Sequence, residues 1–439
     1  MKFFDREYES NKLREISDVS QRAAQFTVLT GRRRIGKTSL VMKAYEDETI
    51  LYFFVTRSTE SVLCEEFVEE LTSKLQIPIL GKVERFADIF EYVMELAKTK
   101  PLTLMIDEFQ DFNRVNSAIF SQIQKIWDKK KGDAKINLIV CGSVYSMMTK
   151  LFRDKKEPLY GRQTEFMMIE PFAPSVVKEI LAYYYPEYGK EDLLALYTYT
   201  GGVAKYVELL MDAGATTAEK MLERIVSKNS YFIYEGKNML IEEFGRDYGR
   251  YFDILKLIST GHNTRGDIEG ILHAEVGGYM TRLENDYGLI VKNKPMFQKS
   301  ANKNIVYAVN DLFLQFWFRF IYKYNYFIEA NAYQKLVEIV KRDYETYSGK
   351  VLERYFKEAM KESELYTHID SWWDRKGENE IDIIAADDLE KRVTFYEVKR
   401  QRSELDMKVL KDKVQRFMES TGMYGKYEVC VDGLCMEEM

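Results

Sequence analysis

The chain has 439 residues, 46% hydrophobic and 31% charged, with a formal charge of −6. That length holds two to four domains with separate cores, and the negative balance excludes a surface coated throughout for polyanions. Cys64, Cys141, Cys430 and Cys435 stand in no metal-like spacing, and the three histidines are His262, His273 and His368, so a Cys/His zinc site and histidine-based catalysis are excluded. The thiols read as reduced core residues, the first residues are too charged for a signal peptide, and the most apolar stretch, 312–321, is interrupted by Gln315 and Arg319. The expectation is a soluble, cytoplasmic protein without a membrane partner.

From about residue 20 to 170, apolar β-type runs at 26–30, 50–56, 102–107, 136–141 and 165–169 alternate with helical patterns, which predicts a parallel sheet covered on both faces. The first run leads into Gly31-Arg32-Arg33-Arg34-Ile35-Gly36-Lys37-Thr38, a complete G-x-x-x-x-G-K-[ST] phosphate loop, and a helix is expected from Thr38 and Ser39 onward. Backbone N–H groups of such a loop wrap nucleotide phosphates at a helix N-terminus. Lys37 is placed to reach the β/γ-phosphates and Thr38 to ligate Mg²⁺. Arg32, Arg33 and Arg34 are candidates for contact with phosphate, a neighbouring subunit or DNA, against solvated loop charge for at least two of them.

The run 102–107 ends in Asp107-Glu108, about seventy residues after the loop. Asp107 is the expected Mg²⁺-shell carboxylate and Glu108 the residue that polarises the attacking water. The run 136–141 leads to Ser143, readable as a sensor of the γ-phosphate or as a helix N-cap, roles that can coexist. From 174 to about 240 the pattern is helical. Three helices and a β-ribbon are then expected between 249 and 309, the order of a winged helix-turn-helix. Its third helix, 275–286, carries Arg282 among Glu275, Glu284 and Asp286, whereas the ribbon carries Lys292, Lys294, Lys299 and Lys303. DNA contact and protein docking both remain open for it.

After a helical connector the chain returns to α/β, with a helix over 344–362, strands over 380–386, 392–399 and 427–432, and a helix over 403–419. Asp382 lies on the first of these strands and Glu397-Val398-Lys399 ends the next, where alternation puts Glu397 and Lys399 on one face. The pattern resembles the PD-(D/E)XK arrangement of nucleases, with Ile381 where the proline stands. Asp382 and Glu397 can hold Mg²⁺, Lys399 can orient or deprotonate water, and Glu353 offers an acid from the preceding helix. Lys399, Arg400, Arg402, Lys408, Lys411, Lys413 and Arg416 form a basic stretch suited to DNA phosphate.

Phe4-Asp5-Arg6-Glu7-Tyr8-Glu9, Pro158-Leu159-Tyr160-Gly161-Arg162 and Gly201-Gly202-Val203-Ala204-Lys205-Tyr206, taken with the motifs above, resemble the prokaryotic archaeal-type ATPase family. Ala204 stands where that family usually has proline. The resemblance implies an AAA+/STAND-like ATPase joined to a PD-(D/E)XK-like domain. It implies an Arg6 segment near the adenine, favouring ATP, and an Arg162 that senses phosphate, with an ordinary surface ion pair as the alternative. The expected domains are a P-loop core (1–172), a helical lid (173–240), the winged helix (241–310), a connector (311–343) and a restriction-endonuclease-like α/β domain (344–439). The expected function is an ATP- and Mg²⁺-dependent switch controlling a DNA-directed nuclease-like domain; the alternative is a DNA-binding or signalling ATPase whose last domain is an interaction platform. Homo-oligomerisation stays open.

Overall fold

The seven residues Gln25–Gly31 form strand β1, and every one after Gln25 is buried, as an apolar run covered on both faces must be. Strands β2 (Ile50–Phe54), β3 (Leu102–Asp107), β4 (Ile136–Gly142) and β5 (Glu165–Ile169) join it in one sheet of order β2-β3-β4-β1-β5. All its pairings are parallel, so the last residues of β1, β3 and β4 reach the same edge. The computed structural model describes residues 1–77, 81–245, 248–297, 305–374 and 377–439.

The helices over this sheet follow from spacing. In Phe86–Thr99, residues 86, 89, 90, 93, 94 and 97 are buried, one stripe of a 3.6-residue period. Phe67 stacks on Phe53 with ring centroids 4.3 Å apart, and Phe86, Phe90 and Phe112 extend the same aromatic core. Here lie many of the chain's phenylalanines.

The chain divides into two compact units, Asp5–Glu170 and Met1–Phe4 with Pro171–Met439. Residues 1–4 and 171–172 therefore group with the second unit. Phe4 packs edge-on against Tyr183 at 5.3 Å, and the N-terminal ammonium lies 3.0 Å from Asp212, both in the second unit.

That unit begins with the helices Pro174–Tyr184, Lys190–Thr200, Ala204–Asp212, Ala218–Ile225 and Tyr231–Phe244. Lys190–Thr200 is the central one, buried at every residue from Leu193 to Thr200. The helices Tyr248–Ser259, Arg265–Leu272 and Gly277–Asn285 follow, then an antiparallel ribbon of β6 (Ile290–Asn293) and β7 (Val306–Val309). Lys299 and Lys303 fall outside the described residues. A π-helical turn, Trp317–Tyr322, leads toward the 30-residue helix Tyr333–Glu362. The expected boundary between 343 and 344 falls inside this helix. No proline interrupts it, and Gly349 is the sole weak helix former of its kind there, too little to break a helix packed along its length.

Strands β8 (His368–Trp373), β9 (Glu380–Asp387), β10 (Arg392–Val398) and β11 (Glu428–Leu434) make a sheet of order β11-β10-β9-β8, parallel only between β10 and β11. Leu410, Val414 and Phe417 of helix Met407–Thr421 fill its core with Val393 and Phe395. The end of the β6 arm joins in: Met296 N–H donates to Ser371 O at 3.0 Å, and Phe297 meets Tyr424 edge-on at 5.6 Å.

Gly202 has a φ of +73°, and a Cβ there would lie 2.2 Å from the Phe172 carbonyl oxygen. Replacing it with alanine combines a left-handed strain with a backbone clash, so Gly202→Ala should destabilise the fold by roughly 2 kcal/mol or more, read as a lowered urea midpoint.

Candidate functional site

Gly31 ends β1 where β5 passes close by. A Cβ at this position would meet Ile169 O at 2.5 Å, so a side chain cannot be built there without moving β5. The backbone then turns through left-handed residues at Arg34 (φ 66°) and Gly36 (φ 93°), and Gly36 caps the helix Lys37–Ala44. The loop therefore delivers its N–H groups at a helix N-terminus, where anions are favoured. Ile35 anchors the loop in the core, and Ser39 is exposed.

Lys37 is buried, and its ammonium donates to the carbonyls of Gly31 at 2.9 Å and Arg32 at 3.0 Å. Burial pushes its pKa down, opposed by the pull of Cys141, Glu108 and Asp107. The Thr38 hydroxyl donates to Asp107 Oδ2 at 2.7 Å, joining the loop helix to the end of β3. These two hard oxygen donors are the residues that could hold Mg²⁺. Glu108 has a φ of 51°; its carboxylate accepts from Ser143 Oγ at 2.7 Å and from Gln110 Nε2, with Arg33 3.9 Å away.

Loop, Asp107, Glu108, Ser143 and Arg33 thus come together at the edge where β1, β3 and β4 end. Tyr52, which sequence reasoning passed over as a strand residue, joins them by donating its phenol to Asp107 Oδ2 at 3.1 Å. Arg32 and Arg34 are half-buried. Arg6 is buried in a left-handed turn; it pairs with Glu9 at 3.1 Å and donates to Glu170 O at 2.5 Å. Arg162 pairs with Asp128 at 3.1 Å and donates to Tyr160 O at 2.8 Å, the geometry of a surface ion pair.

The second unit contains a separate acidic cluster. The antiparallel ladder pairs Tyr396 with Ile383, so its next step sets Glu397 beside Asp382, and Val398 N–H donates to Asp382 Oδ2 at 2.8 Å. Glu353, Glu380 and Asp382 each offer a carboxylate oxygen, all within 4.8 Å of one another, a donor set suited to a hard divalent cation. Glu380 is the member that sequence reasoning left without a role, although period-two alternation in Glu380-Ile381-Asp382 already placed it on the face of Asp382. Glu397 lies at the edge of this group and is held by Lys399 at 2.9 Å and Lys413 at 3.0 Å.

Burial raises the Asp382 pKa against the backbone bond from Val398. Burial also acts on Glu397, but the Lys399 and Lys413 bonds outweigh it and hold that carboxyl below its usual value. Glu353 is pushed up to about 7, by burial first, with Lys350 opposing and Asp382 adding. Lys350 bridges Glu353 at 3.2 Å and Glu380 at 3.1 Å.

The basic stretch is largely spoken for within the fold. Arg400 binds Ser348 and Glu191, Arg402 binds Glu437 and Glu438, Lys413 binds Glu397, and Arg416 binds Asn379. Arg282 reaches Tyr251 at 3.4 Å rather than standing free on its helix.

Residues 3–210 match a family described as an ATPase domain predominantly from Archaea, and residues 317–411 match one described as archaeal and bacterial proteins of unknown function. An uncharacterized protein of Methanocaldococcus jannaschii is 30% identical over 442 residues, covering 98% of this chain and 95% of the relative. The chain belongs to the archaeal-type P-loop ATPase family. Among solved structures, the Walker-type ATPase of Pyrococcus abyssi is 20% identical with a TM-score of 0.56, covering 72% of this chain and 96% of that one. The ORC2 protein of Aeropyrum pernix, solved as ADPNP-ADP complexes, is 13% identical with a TM-score of 0.50, covering 78% and 96%. At these identities the likeness is one of fold, a P-loop AAA+-type α/β core. This family member carries, besides that core, the separate four-stranded sheet. No helix among its described residues is long and apolar enough to cross a membrane.

A folded-state pKa raised from 4.5 to about 7 means that the Glu353 contribution to stability is present below pH 4.5 and is lost as pH rises through 7. In EDTA, Glu353→Gln should therefore match wild type near pH 4.5 and exceed it at pH 8 by roughly 3 kcal/mol, read from unfolding midpoints across that range.

Proposed function

We propose that this ATPase is a switch in which ATP hydrolysis controls a DNA-directed, nuclease-like C-terminal domain. The observation that carries the reading is the mutual approach of the Glu353, Glu380 and Asp382 carboxylates beside the Glu397–Lys399 pair. In this reading residues 344–439 are the PD-(D/E)XK-like part, the helices of 173–240 are a lid, and the three helices and ribbon of 241–310 are a winged helix.

On the ATPase side, Lys37 meets the phosphates and Glu108, oriented by Ser143 and Gln110, draws a proton from the attacking water. Held by Thr38 and Asp107, a Mg²⁺ ion supplies charge neutralisation for the phosphates when bound. Arg6 fits a supporting role, ordering the segment ahead of the loop; for Arg162 the role is a change of partner from Asp128 to phosphate when ATP is bound, which its present pairing neither requires nor prevents.

On the C-terminal side, Asp382 and Glu353, with Glu380 or Glu397 completing the set, would hold a divalent cation, and that cation would supply polarisation of a phosphodiester. Lys399 orients the water, and its pKa is raised: burial lowers it, but the bond to Glu397 outweighs that. Coupling is supported by the helix that carries Glu353. Helices Pro174–Tyr184 and Lys190–Thr200 pack on it, Tyr197 meets Tyr355 at 5.4 Å, and Arg400, next to Lys399, ties Ser348 to Glu191. The β6 arm is likewise fastened to the sheet through Met296.

A second reading, an ATP-dependent interaction platform without cleavage, draws on the internal pairing of Arg400, Arg402, Lys413 and Arg416. Each of those side chains already has a partner within the fold.

Glu108→Gln should keep ATP binding and lose at least ~100-fold in phosphate release, measured by nucleotide binding and steady-state hydrolysis together. For the second site, supercoiled DNA with Mn²⁺ or Mg²⁺, with and without ATP, should be nicked by wild type and at least ~100-fold more slowly by Lys399→Ala. Equal nicking by both, or none by either, favours the platform.

A further inference from the structure

Tyr52 sits on β2, the outer strand of the parallel sheet, within the run Ile50–Phe54. Alternation sends its neighbour Phe53 into the core against Phe67 and turns Tyr52 to the other face. The register sets Tyr52 beside Met105, and Asp107 lies two residues further along β3, hence on the same face. The ring spans that step, and its hydroxyl donates to Asp107 Oδ2 at 3.1 Å. Thr38 addresses the same oxygen at 2.7 Å, and Glu108 N–H holds Oδ1 at 2.9 Å. The Tyr52 backbone is itself fixed, its N–H donating to Glu70 Oε1 at 3.1 Å.

We infer that Tyr52 is a positioning residue for the ATPase reaction, holding the Asp107 carboxylate in the orientation in which it and Thr38 receive the divalent cation that accompanies ATP. The inference rests on the assignment of Asp107 to that cation. A ligating carboxylate needs its own hydrogen bonds to fix where its lone pairs point. Of the two donors on Oδ2, Thr38 belongs to the loop that the nucleotide must engage, whereas Tyr52 belongs to the sheet. Without the phenol, Oδ2 keeps only the donor on that loop. A purely structural role for Tyr52 is met equally well by phenylalanine, which preserves the ring and its packing.

The test uses the full chain and a fluorescent ATP analogue, titrating Mg²⁺ at fixed nucleotide and reading binding rather than turnover. Wild type, Tyr52→Phe and Asp107→Asn are compared, with melting curves in EDTA. Tyr52→Phe is expected to bind the analogue in EDTA as wild type does, to melt at the wild-type temperature, and to need about 10-fold more Mg²⁺ to reach half of its effect. An unchanged Mg²⁺ midpoint in Tyr52→Phe with a shifted one in Asp107→Asn overturns the role of Tyr52 alone. Unchanged midpoints in both overturn the Asp107 assignment and the inference with it. A Tyr52→Phe protein that is unfolded, or that binds the analogue more weakly in EDTA, makes Tyr52 a structural residue and likewise overturns the proposal.

Discussion

The 2.7 Å hydrogen bond from Thr38 to Asp107 ties the phosphate loop to the sheet, and the first unit is arranged around it. Two carboxylates, one ammonium and three hydroxyls gather at one edge of a parallel sheet whose strands are mostly apolar. Charges taken that far from water persist only with partners. Lys37 has the loop carbonyls, Asp107 has Thr38, Tyr52 and the Glu108 N–H, and Glu108 has Ser143 and Gln110. Gly31 and Gly142 serve the same arrangement. A Cβ on the first would strike Ile169 O, and one on the second would lie 2.6 Å from Gln110 Oε1, the side chain that orients Glu108.

The C-terminal sheet meets the same physical problem with a different balance. Its carboxylates are unevenly paired with the lysines around them, and the outcomes differ by position. Glu397, flanked by Lys399 and Lys413, is held ionised, while Glu353 is driven toward its neutral form. A cluster that resists full ionisation is one that a divalent cation would stabilise strongly. The same helix that brings Glu353 to this cluster packs against Lys190–Thr200.

Much of this was legible from the chain. Gly31 to Thr38, Asp107-Glu108 and Ser143 could be assigned to one site because parallel strands must deliver their carboxyl ends to one edge, whatever the order of the strands. Glu353 and Asp382 could be brought together through the resemblance to PD-(D/E)XK cores, in which an acid comes from the helix ahead of the strands. That the expected boundary at 344 would fall inside one helix, Tyr333–Glu362, could not be seen, since a change of pattern along the chain does not show whether a helix runs through it. Nor could the state of the basic stretch: a row of lysines and arginines looks alike whether water, DNA or the chain's own carboxylates will neutralise it.

The sequence by itself determined the parallel sheet, the phosphate loop at its edge and the acidic strand pair, because these depend on residue type and local periodicity. Only the tertiary structure decided that Tyr52 addresses Asp107, that Glu380 rather than Glu397 completes the close carboxylate group, and that Arg162 pairs with Asp128. Those outcomes are set by strand register and by side chains distant in sequence competing for the same partner, and neither is written into any single segment of the chain.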